Sequence, residues 1–302
     1  MVPRKSFLVA SIKKMSWLIL GGSGQLGRAM SAKLKAEGAH YTVLSHSDLD
    51  ITNLERIQEA ISRYDPDVLV NAAAWTNVEL AQSDYAGALN VNAIGPMYLA
   101  RSCSFSGAKF IHISTDYVFS GTRNIPWTEN SAKNPRSNYG ESKSLGEDFV
   151  LEAYPKGSII VRTSWLYSPW GKNFVKTMAK IALNESREVR VVSDQIGQPT
   201  SAIELANQIY LMVVEGVQPG IYHASNSGET SWYEFAKEIF LELNRDTGRV
   251  KPIRSTEFES SVHRPAYGVL SYENLIKQGI KPMQNWRDAL NESLPSIIKA
   301  IE

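Results

Sequence analysis

The sequence predicts an α/β fold with a doubly wound parallel sheet, and three observations support this. Short apolar runs rich in Val, Ile and Leu alternate with helix-like stretches from Trp17 onward. The runs are continuous, which is typical of strands buried on both faces. A glycine-rich turn follows directly after the first run. Strands that alternate with helices in this way form right-handed crossovers and a parallel sheet.

Five apolar runs predict the strands of the sheet. In chain order they are WLIL (17–20), YTVLS (41–45), DVLVN (67–71), KFIHIS (109–114) and SIIVRT (158–163). The helix-like stretches between them cover residues 25–38, 53–65, 83–107 and 137–155. Several of these stretches end at Gly or Pro, and both residues stop helices.

The composition indicates an ordinary soluble globular protein of about two domains. The chain has 302 residues, 43% of them hydrophobic, and a net charge of +1. It has no basic run that indicates nucleic-acid binding and no apolar run near the ~20 residues of a membrane span. The single cysteine, Cys103, excludes an intrachain disulfide and fits a reducing cytoplasm. Its position on a predicted helix favours a small buried core residue over a nucleophile.

The turn after the first strand, GGSGQLG (21–27), contains the spacing Gly-x-Gly-x-x-Gly of a dinucleotide-binding loop. Here the motif follows a predicted strand and opens a helix, which is the context that gives it weight. Glycines let backbone N–H groups approach a pyrophosphate, and the helix N-terminus favours its charge. The alternative is a tight strand-to-helix turn that binds no ligand.

The second predicted strand ends in LSHSDLD (44–50), where an NAD-binding site usually carries an acid for the ribose 2′-hydroxyl. This chain has Ser45 and His46 at that tip. A serine does not repel a 2′-phosphate and an imidazole can donate to it, which favours NADP(H), with NADH possible. The alternative is that Asp48 bends back and takes the place of the acid.

The third strand runs into NAAAW (71–75). Alanines at this point leave room for a flat ligand near the backbone. They are equally expected of residues that simply start a helix.

Two Tyr-x-x-x-Lys pairs occur, NYGESK with Tyr139 and Lys143, and YEFAK with Tyr233 and Lys237. Either pair lies on one helix face, where a lysine can ease the loss of a tyrosine proton. Thr115 precedes Tyr139 by 24 residues, at the predicted carboxyl end of the fourth strand, where α/β sheets bind ligands. No comparable hydroxyl precedes Tyr233. We therefore interpret NYGESK as the active pair and YEFAK as a core-packing helix.

Together these motifs resemble the extended short-chain dehydrogenases/reductases. The segments GGSGQLG, STDYVFSG, IPWTE, NYGESK, VRTSWLY, DQIGQPT, GIYH and HRP resemble the dTDP-4-dehydrorhamnose reductases specifically, across nearly all of residues 15–302. The resemblance implies a Rossmann-like fold and NADPH-dependent reduction of the 4-keto group of a nucleotide-linked 6-deoxyhexose. The implied reaction converts dTDP-4-dehydro-L-rhamnose to dTDP-L-rhamnose.

The resemblance also implies roles for individual residues. Tyr139 would protonate the carbonyl oxygen as hydride arrives, and Lys143 would bind the nicotinamide ribose and lower the pKa of Tyr139 by its charge. Thr115 would hold the carbonyl oxygen, and Asn92 would support the site. The other cofactor contacts would be Gly21, Gly24, Gln25, Leu26, Ser45, His46, Asp50, Ile51, Ala72, Ala73 and Ala74. The sugar site would comprise Thr76, Val78, Thr115, Asp116 and Trp165.

After Arg162 strands and helices alternate less regularly, which predicts a smaller mixed C-terminal lobe. VRVVSDQIGQPT (189–200) indicates one more strand and a loop, and residues 204–216 and 231–243 indicate amphipathic helices. The predicted division is a dinucleotide-binding domain of residues 15–165 and 189–220, and a substrate lobe of residues 166–188 and 221–302. Residues 1–14 are interpreted as a flexible extension.

The chain departs from the family pattern at four positions. Leu80 and Gln82 stand where lysine and glutamate are common, and Gly268 replaces a serine of the late RPxxSxL segment. These changes bear on the exact sugar nucleotide more than on the reaction. Ala29 stands where some members carry an acid that ligates a dimer-bridging metal, so no metal is predicted. The expected assembly is a monomer or a homodimer.

Two rival functions remain open. One is another nucleotide-sugar epimerase, dehydratase or reductase of the superfamily. A dehydratase is expected to place an acidic pair after the threonine, whereas Thr115 is followed by Asp116 and Tyr117. The other rival is a non-catalytic NADP-binding regulatory subunit resembling the β subunit of methionine adenosyltransferase.

Overall fold

The computed structural model describes residues 15–258, 260 and 262–301. The predicted extension of residues 1–14 lies outside these described residues. In the described part, the predicted α/β fold class is confirmed by a central parallel sheet with helices on both faces.

The described strands and helices are as follows. The strands are β1 (Ser16–Leu20), β2 (His40–Leu44), β3 (Val68–Asn71), β4 (Lys109–Thr115), β5 (Ser158–Thr163), β6 (Leu166–Tyr167), β7 (Val189–Val192), β8 (Ile196–Gly197), β9 (Thr200–Ser201), β10 (Gly220–His223), β11 (Asn226–Ser227), β12 (Thr230–Ser231), β13 (Val250–Ile253) and β14 (Met283–Asn285). The α-helices are α1 (Gln25–Glu37), α2 (Leu54–Tyr64), α3 (Val78–Ser83), α4 (Tyr85–Leu89), α5 (Gly95–Ser106), α6 (Asn138–Ala153), α7 (Phe174–Asn184), α8 (Ala202–Val214), α9 (Trp232–Glu242), α10 (Glu273–Lys277) and α11 (Trp286–Lys299). Single 3₁₀ turns cover Asp116–Val118, Thr247–Arg249 and Ser255–Glu257. Among the helices described, none has both the length and the apolar character to cross a membrane.

The central sheet has the strand order β10-β5-β4-β3-β1-β2, and every neighbouring pair is parallel. Leu18 of β1 lies between Thr42 of β2 and Leu69 of β3. The chain therefore moves outward from β1 to β2 and then returns to the other side of β1. This reversal opens a crevice at the carboxyl ends of β1 and β3, where open α/β sheets bind ligands.

The side chains of β1 explain why its sequence is a continuous apolar run. Trp17 and Ile19 pack in one layer with α1 and α8, whereas Leu18 and Leu20 pack in the other with α2 and α5. All four are buried, because both faces of the strand are covered. Burial of each such side chain contributes about 1.5–3 kcal/mol of transfer free energy.

Cys103 lies in the second of these layers, on α5, and is fully buried. Burial raises the pKa of its thiol to about 12. The residue is therefore part of the core, as predicted, because its thiol stays protonated and unreactive near neutral pH.

A third apolar cluster forms the smaller lobe. Side chains of α7, α9 and α11 pack together there with those of β7 and β13. The largest of its fully buried side chains are Trp286, Tyr167, Phe235 and Phe240. The predicted core-packing helix YEFAK is α9, and its buried face belongs to this cluster.

Strand pairing differs from the predicted division of the chain at two points. Strand β7 pairs with β13 in a separate two-stranded sheet, although residues 189–220 were assigned to the main sheet's domain. Strand β10 pairs with β5 at the edge of the main sheet, although residues 221–302 were assigned to the lobe. The physical reason is that an apolar run identifies a strand but carries no information about its neighbour. The remaining division stays a prediction.

The helical stretch predicted over residues 83–107 is interrupted. After α4 the chain makes one π-helical turn, Asn90–Ile94, before α5 begins. The turn packs closely against α6, because a Cβ at Gly146 would lie 2.1 Å from the carbonyl oxygen of Asn92. Only glycine permits that approach, and π-turns are frequent where a helix carries a functional side chain.

A buried carboxylate joins α6 to the sheet. Glu147 accepts hydrogen bonds from Ser114 Oγ at 2.6 Å and from Arg162 Nε at 2.8 Å, and Arg162 NH2 lies 2.7 Å from its second oxygen. Burial raises the pKa of Glu147, but the hydrogen bonds and charge of Arg162, with Lys133, outweigh it and hold the pKa below its ordinary value. Helix α6 is thereby fixed to β4 and β5.

Glu147→Gln should lower the free energy of unfolding by about 3–5 kcal/mol, because it leaves the Arg162 guanidinium buried without its counter-charge. Chemical denaturation at neutral pH measures this. The difference should shrink as pH falls below the unfolded-state pKa of about 4.3, since protonation then costs the wild type the same interaction. Glu152→Gln is the control, on the same helix but exposed, and should change the stability by less than about 0.5 kcal/mol. Equal effects of the two substitutions would show that the ion pair does not stabilise the fold.

Candidate active site

A cleft of about 680 Å³ opens at the carboxyl ends of the central strands. It is lined by every predicted cofactor, catalytic and sugar residue except Ser45. Those residues are Gly21, Gly24, Gln25, Leu26, His46, Asp50, Ile51, Ala72, Ala73, Ala74, Thr76, Val78, Thr115, Asp116, Tyr139, Lys143 and Trp165. The structure brings them together in one place, and their individual roles stay predictions.

The glycine loop connects β1 to α1 at the floor of the cleft. Gly21 has φ of 77°, and a Cβ there would lie 2.6 Å from the backbone nitrogen of Ala73. Helix α1 begins after Gly24 and has no acidic residue in its first turn. Its free N–H groups therefore form a site for an anionic group.

Gln25 connects this loop to the smaller lobe. Its Oε1 accepts hydrogen bonds from Ser168 Oγ and Asn173 Nδ2, both at 2.9 Å. Its Nε2 lies 3.4 Å from the carbonyl oxygen of Leu166. The side chain is predicted to contact the cofactor, but its hydrogen bonds are to β6 and the loop that follows it. The backbone N–H of Gln25 remains available to a ligand, because it is the first residue of α1.

The tip of β2 folds back on itself. Ser45 donates from its backbone nitrogen and its Oγ to the carboxylate of Asp48, at 2.8 and 2.6 Å. These hydrogen bonds lower the pKa of Asp48, so its carboxylate is charged. The Ser45 hydroxyl predicted to be available to a 2′-phosphate thus donates to Asp48, and neither Ser45 nor Asp48 is among the residues that line the cleft. The cause is a four-residue turn whose aspartate caps the backbone N–H at its start.

His46 and Asp50 line the cleft beside this turn. Asp50 Oδ1 accepts from the backbone nitrogen and hydroxyl of Thr52, at 2.9 and 2.8 Å. Those bonds lower the pKa of Asp50. One oxygen of a charged carboxylate therefore remains for a donor on a ligand.

Thr115, Tyr139 and Lys143 meet at the carboxyl end of β4. Burial raises the pKa of Tyr139 well above its ordinary value, and a hydrogen bond with the Thr115 side chain opposes the rise. Lys143 Nζ donates to the carbonyl oxygen of Ile113 at 2.6 Å. Burial lowers the pKa of Lys143 to about 8, although the charge of Glu147 opposes this. The predicted lowering of the Tyr139 pKa by Lys143 stays a prediction, because the ammonium group points to Ile113.

Asp116 is buried beside this group and accepts a hydrogen bond from Thr115 Oγ1 at 3.0 Å. Burial raises its pKa to about 7, so protonated and charged forms coexist near neutral pH. A Cβ at position 268 would lie 2.5 Å from Asp116 Oδ2. Gly268, the departure from the serine of related chains, therefore makes room for this carboxyl group.

The π-helical turn positions Asn92 behind the active helix. Asn92 Nδ2 donates to Ser142 Oγ and to the carbonyl oxygen of Trp75, both at 3.0 Å, and its Oδ1 accepts from Trp75 N at 2.8 Å. Ser142 Oγ in turn donates to the carbonyl oxygen of Tyr139 at 2.8 Å. Asn92 thus joins the turn of α6 that bears Tyr139 to the chain after β3, in line with its predicted supporting position.

Trp165 has an unusual backbone conformation for a bulky residue, with φ of 44°. Its indole stacks on that of Trp232, with ring centroids 3.5 Å apart and planes 11° from parallel. The two rings form one wall of the cleft. The sequence predicted Trp165 but missed Trp232, because the helix that Trp232 starts was interpreted as core. The position of Trp232 at a helix end was the signal for a surface role.

Tyr117 and Lys172 also line the cleft and were not predicted. The Tyr117 ring lies edge-on to that of Tyr139, with centroids 5.4 Å apart. Its place in STDY, directly after Asp116, was an available signal. Lys172 lies in the loop after β6, where the sequence gave no pattern.

The remaining departures lie away from the reacting groups. Leu80 is exposed on α3. The carbonyl oxygen of Gln82 accepts from Asn138 Nδ2 at 3.3 Å, which joins α3 to the start of α6. Ala29 is buried on α1. In the described ranges, no three His, Cys, Asp or Glu side chains cluster as metal ligands.

A parallel sheet with a glycine loop at its switch point and a Thr–Tyr–Lys group beside it defines an extended short-chain dehydrogenase/reductase. The family described as "RmlD substrate binding domain" matches residues 15–298. A dTDP-4-dehydrorhamnose reductase of Streptomyces griseus is 41% identical over 285 residues, which cover 93% of each protein. A dTDP-4-keto-6-deoxy-D-glucose reductase of Streptomyces niveus is 38% identical over 92% of this chain and 96% of its own.

Solved structures agree with these sequence relatives. The crystal structure of dTDP-4-dehydrorhamnose reductase from Bacillus anthracis, in complex with NADP, superposes with a TM-score of 0.89 at 37% identity. The match covers 93% of this chain and 99% of that one. The chain therefore belongs to the dTDP-4-dehydrorhamnose reductase family.

Tyr139→Phe should lower kcat by about 100-fold or more, the usual contribution of a general acid, because the phenol proton is removed. Cofactor binding, measured by fluorescence titration, should stay near wild type. Tyr233→Phe is the matched control, since Tyr233 also precedes a lysine by four residues but lies outside the cleft lining. An inactive Tyr233→Phe variant, together with an active Tyr139→Phe variant, would reverse the assignment of the two pairs.

Proposed function

We propose that this protein is an NADPH-dependent oxidoreductase that reduces the 4-keto group of a dTDP-linked 6-deoxy-4-ketohexose. The proposed reaction converts dTDP-4-dehydro-L-rhamnose to dTDP-L-rhamnose. The observation that carries the proposal is the meeting of Thr115, Tyr139 and Lys143 beside the glycine loop, in a chain of this reductase family. The relative that reduces dTDP-4-keto-6-deoxy-D-glucose makes that sugar the second candidate substrate.

The cleft fits a dinucleotide cofactor. A Cβ at Gly21 would collide with Ala73, so only glycine lets the loop and the alanine segment approach each other this closely. Gly21 also places no side chain in the crevice. The N–H groups at the start of α1 would hold the pyrophosphate, and Asp50 would accept from the adenosine end. The NADP bound by the Bacillus anthracis relative supports NADPH as the cofactor. When bound, NADPH supplies the hydride.

The protein's own groups supply the proton. As the carbonyl carbon receives hydride, the Tyr139 hydroxyl donates its proton to the carbonyl oxygen, so that the ketone becomes an alcohol and the phenol a phenolate. Thr115 would turn its hydroxyl from Asp116 to the carbonyl oxygen and hold it. The charge of Lys143 would stabilise the phenolate until a proton from solvent restores it.

The aromatic wall would bind the sugar nucleotide. Trp165 and Trp232 present flat apolar surfaces, which pack well against the apolar face of a hexose or a base. Thr76, Val78 and Asp116 line the cleft with them and provide polar and apolar contacts. The proposal keeps the cytoplasmic location and the monomer or homodimer predicted from the sequence.

The carboxylate of Asp48 should limit the preference for NADPH, because it places a negative charge at the tip of β2, in the same turn as His46 of the cleft lining. Asp48→Asn should raise the ratio of kcat/KM for NADPH to that for NADH by about five-fold at most, because it removes a charge of the same sign as the 2′-phosphate but one that water screens strongly. Asp65→Asn removes an equal charge at the opposite edge of the sheet, near the start of β1, and should leave the ratio unchanged. An unchanged ratio in the Asp48 variant would place the ribose elsewhere.

A substrate screen tests the function itself. NADPH oxidation should be followed with dTDP-, UDP- and GDP-linked 4-keto-6-deoxy sugars, with product stereochemistry read by NMR. We expect turnover with a dTDP sugar and the L-rhamno product. Turnover only with a UDP or GDP sugar would contradict the proposed substrate. No NADPH oxidation with any sugar, together with co-purification of a synthetase, would favour the non-catalytic regulatory subunit.

A further inference from the structure

His112 lies on β4 between the buried side chains of Asn71 and Lys143. Its Nδ1 is 3.2 Å from Asn71 Nδ2, and its Nε2 is 3.4 Å from Lys143 Nζ. Asn71 and His112 are fully buried and Lys143 is 2% exposed. The predicted mechanism uses Lys143 but gives no role to the other two.

The hydrogen bonds of Asn71 determine which nitrogen of His112 carries the proton. Asn71 Oδ1 accepts from the backbone nitrogen of Ala73 at 3.1 Å, which orients the amide. Its Nδ2, which can only donate, therefore faces His112 Nδ1, so this nitrogen must accept. Burial lowers the pKa of His112 well below its ordinary value, so the ring is neutral. The proton of the neutral ring is then on Nε2, which faces Lys143.

In this tautomer the Nε2–H of His112 faces the Nζ of Lys143, so two hydrogen-bond donors face each other when Lys143 is charged. The Nε2–H of His112 can be accepted only by the lone pair of an uncharged Lys143 amine. We propose that Asn71 and His112 are positioning residues that hold this N–H against Lys143 and so favour its uncharged form. The proposal rests on the proposed function, in which the charge of Lys143 assists Tyr139.

Each of the other groups around Lys143 favours either its charged or its uncharged form. Glu147, one turn along α6, favours the charged form, and it is itself paired with Arg162 and Lys133. The carbonyl oxygen of Ile113 accepts from Nζ and also favours the charge. Tyr139 lies one turn away on the other side. Burial and the His112 N–H oppose these groups, and burial lowers the pKa of Lys143 to about 8.

The balance between these groups sets the pKa of Lys143, and this pKa predicts a pH above which the reduction slows. As pH rises through the pKa of Lys143, its charge is lost and the phenolate of Tyr139 loses its stabilisation. The rate should therefore fall above about pH 8 in the wild type. Weakening the donor at His112 Nε2 should move this limit to higher pH.

Asn71→Asp reverses the tautomer and supplies the test. One carboxylate oxygen can still accept from Ala73, while the other requires a proton on His112 Nδ1. Nε2 then accepts from the Lys143 ammonium, and the new carboxylate also favours that charge, so the alkaline limb of kcat should move up by at least about one pH unit, a ten-fold change in proton affinity. Asn226→Asp is the matched control, because Asn226 is equally buried, accepts from Ser201 N at 2.9 Å and donates to the Gln284 carbonyl, but lies outside the cleft lining. The alkaline limb of kcat in this control should stay at the wild-type pH.

The tautomer itself can be read by ¹⁵N NMR of histidine-labelled protein. In the wild type we expect His112 with a bare Nδ1 and a protonated Nε2, and in Asn71→Asp the reverse. A wild-type ring protonated on Nδ1 would overturn the proposal, as would an unmoved pH limb in a variant with an inverted tautomer. The wild-type spectrum decides the first point even if the variant does not fold. It needs no substrate, so it stands apart from a failure to reduce any 4-keto sugar.

Discussion

The buried carboxylate of Glu147 is the contact on which the arrangement of the active groups depends. It receives Ser114 from β4 and Arg162 from β5, and it lies one turn from Lys143 and two from Tyr139 on α6. Thr115 is the next residue along β4. One desolvated ion pair therefore sets the distance between a strand that carries the hydroxyl and a helix that carries the acid. Its cost in desolvation is offset because every oxygen of the carboxylate is hydrogen-bonded.

The crevice itself is a consequence of chain topology. Because β1 lies between β2 and β3, the loops that follow these strands diverge and leave space above the sheet. The smaller lobe closes one side of that space, and Gln25 connects it to the glycine loop through Ser168 and Asn173. The cofactor half and the sugar half of the cleft are thus joined by hydrogen bonds.

The sequence predicted those features that follow from local chemistry. Continuous apolar runs identified the five strands up to Thr163, and the spacing of Thr115, Tyr139 and Lys143 selected one of two tyrosine–lysine pairs. Features that depend on distant partners were not accessible. The neighbours of β7 and β10 depend on packing, the π-turn depends on the contact of Gly146 with Asn92, and the Trp165–Trp232 stack joins residues far apart in the chain. The residue type at position 45 predicted a free hydroxyl, but in the structure this hydroxyl donates to Asp48.

The backbone at Trp165 has a consequence for how this position responds to selection. A left-handed conformation at a bulky residue costs about 1–3 kcal/mol, while an aromatic stack contributes about 0.5–1.5 kcal/mol beyond its buried area. The stack therefore offsets part of the strain, and burial of the indole against the smaller lobe offsets more. Glycine would relieve the strain but lose both contributions. A library sorted for stability would therefore meet opposing effects at Trp165, whereas a library sorted for turnover would select for the ring alone.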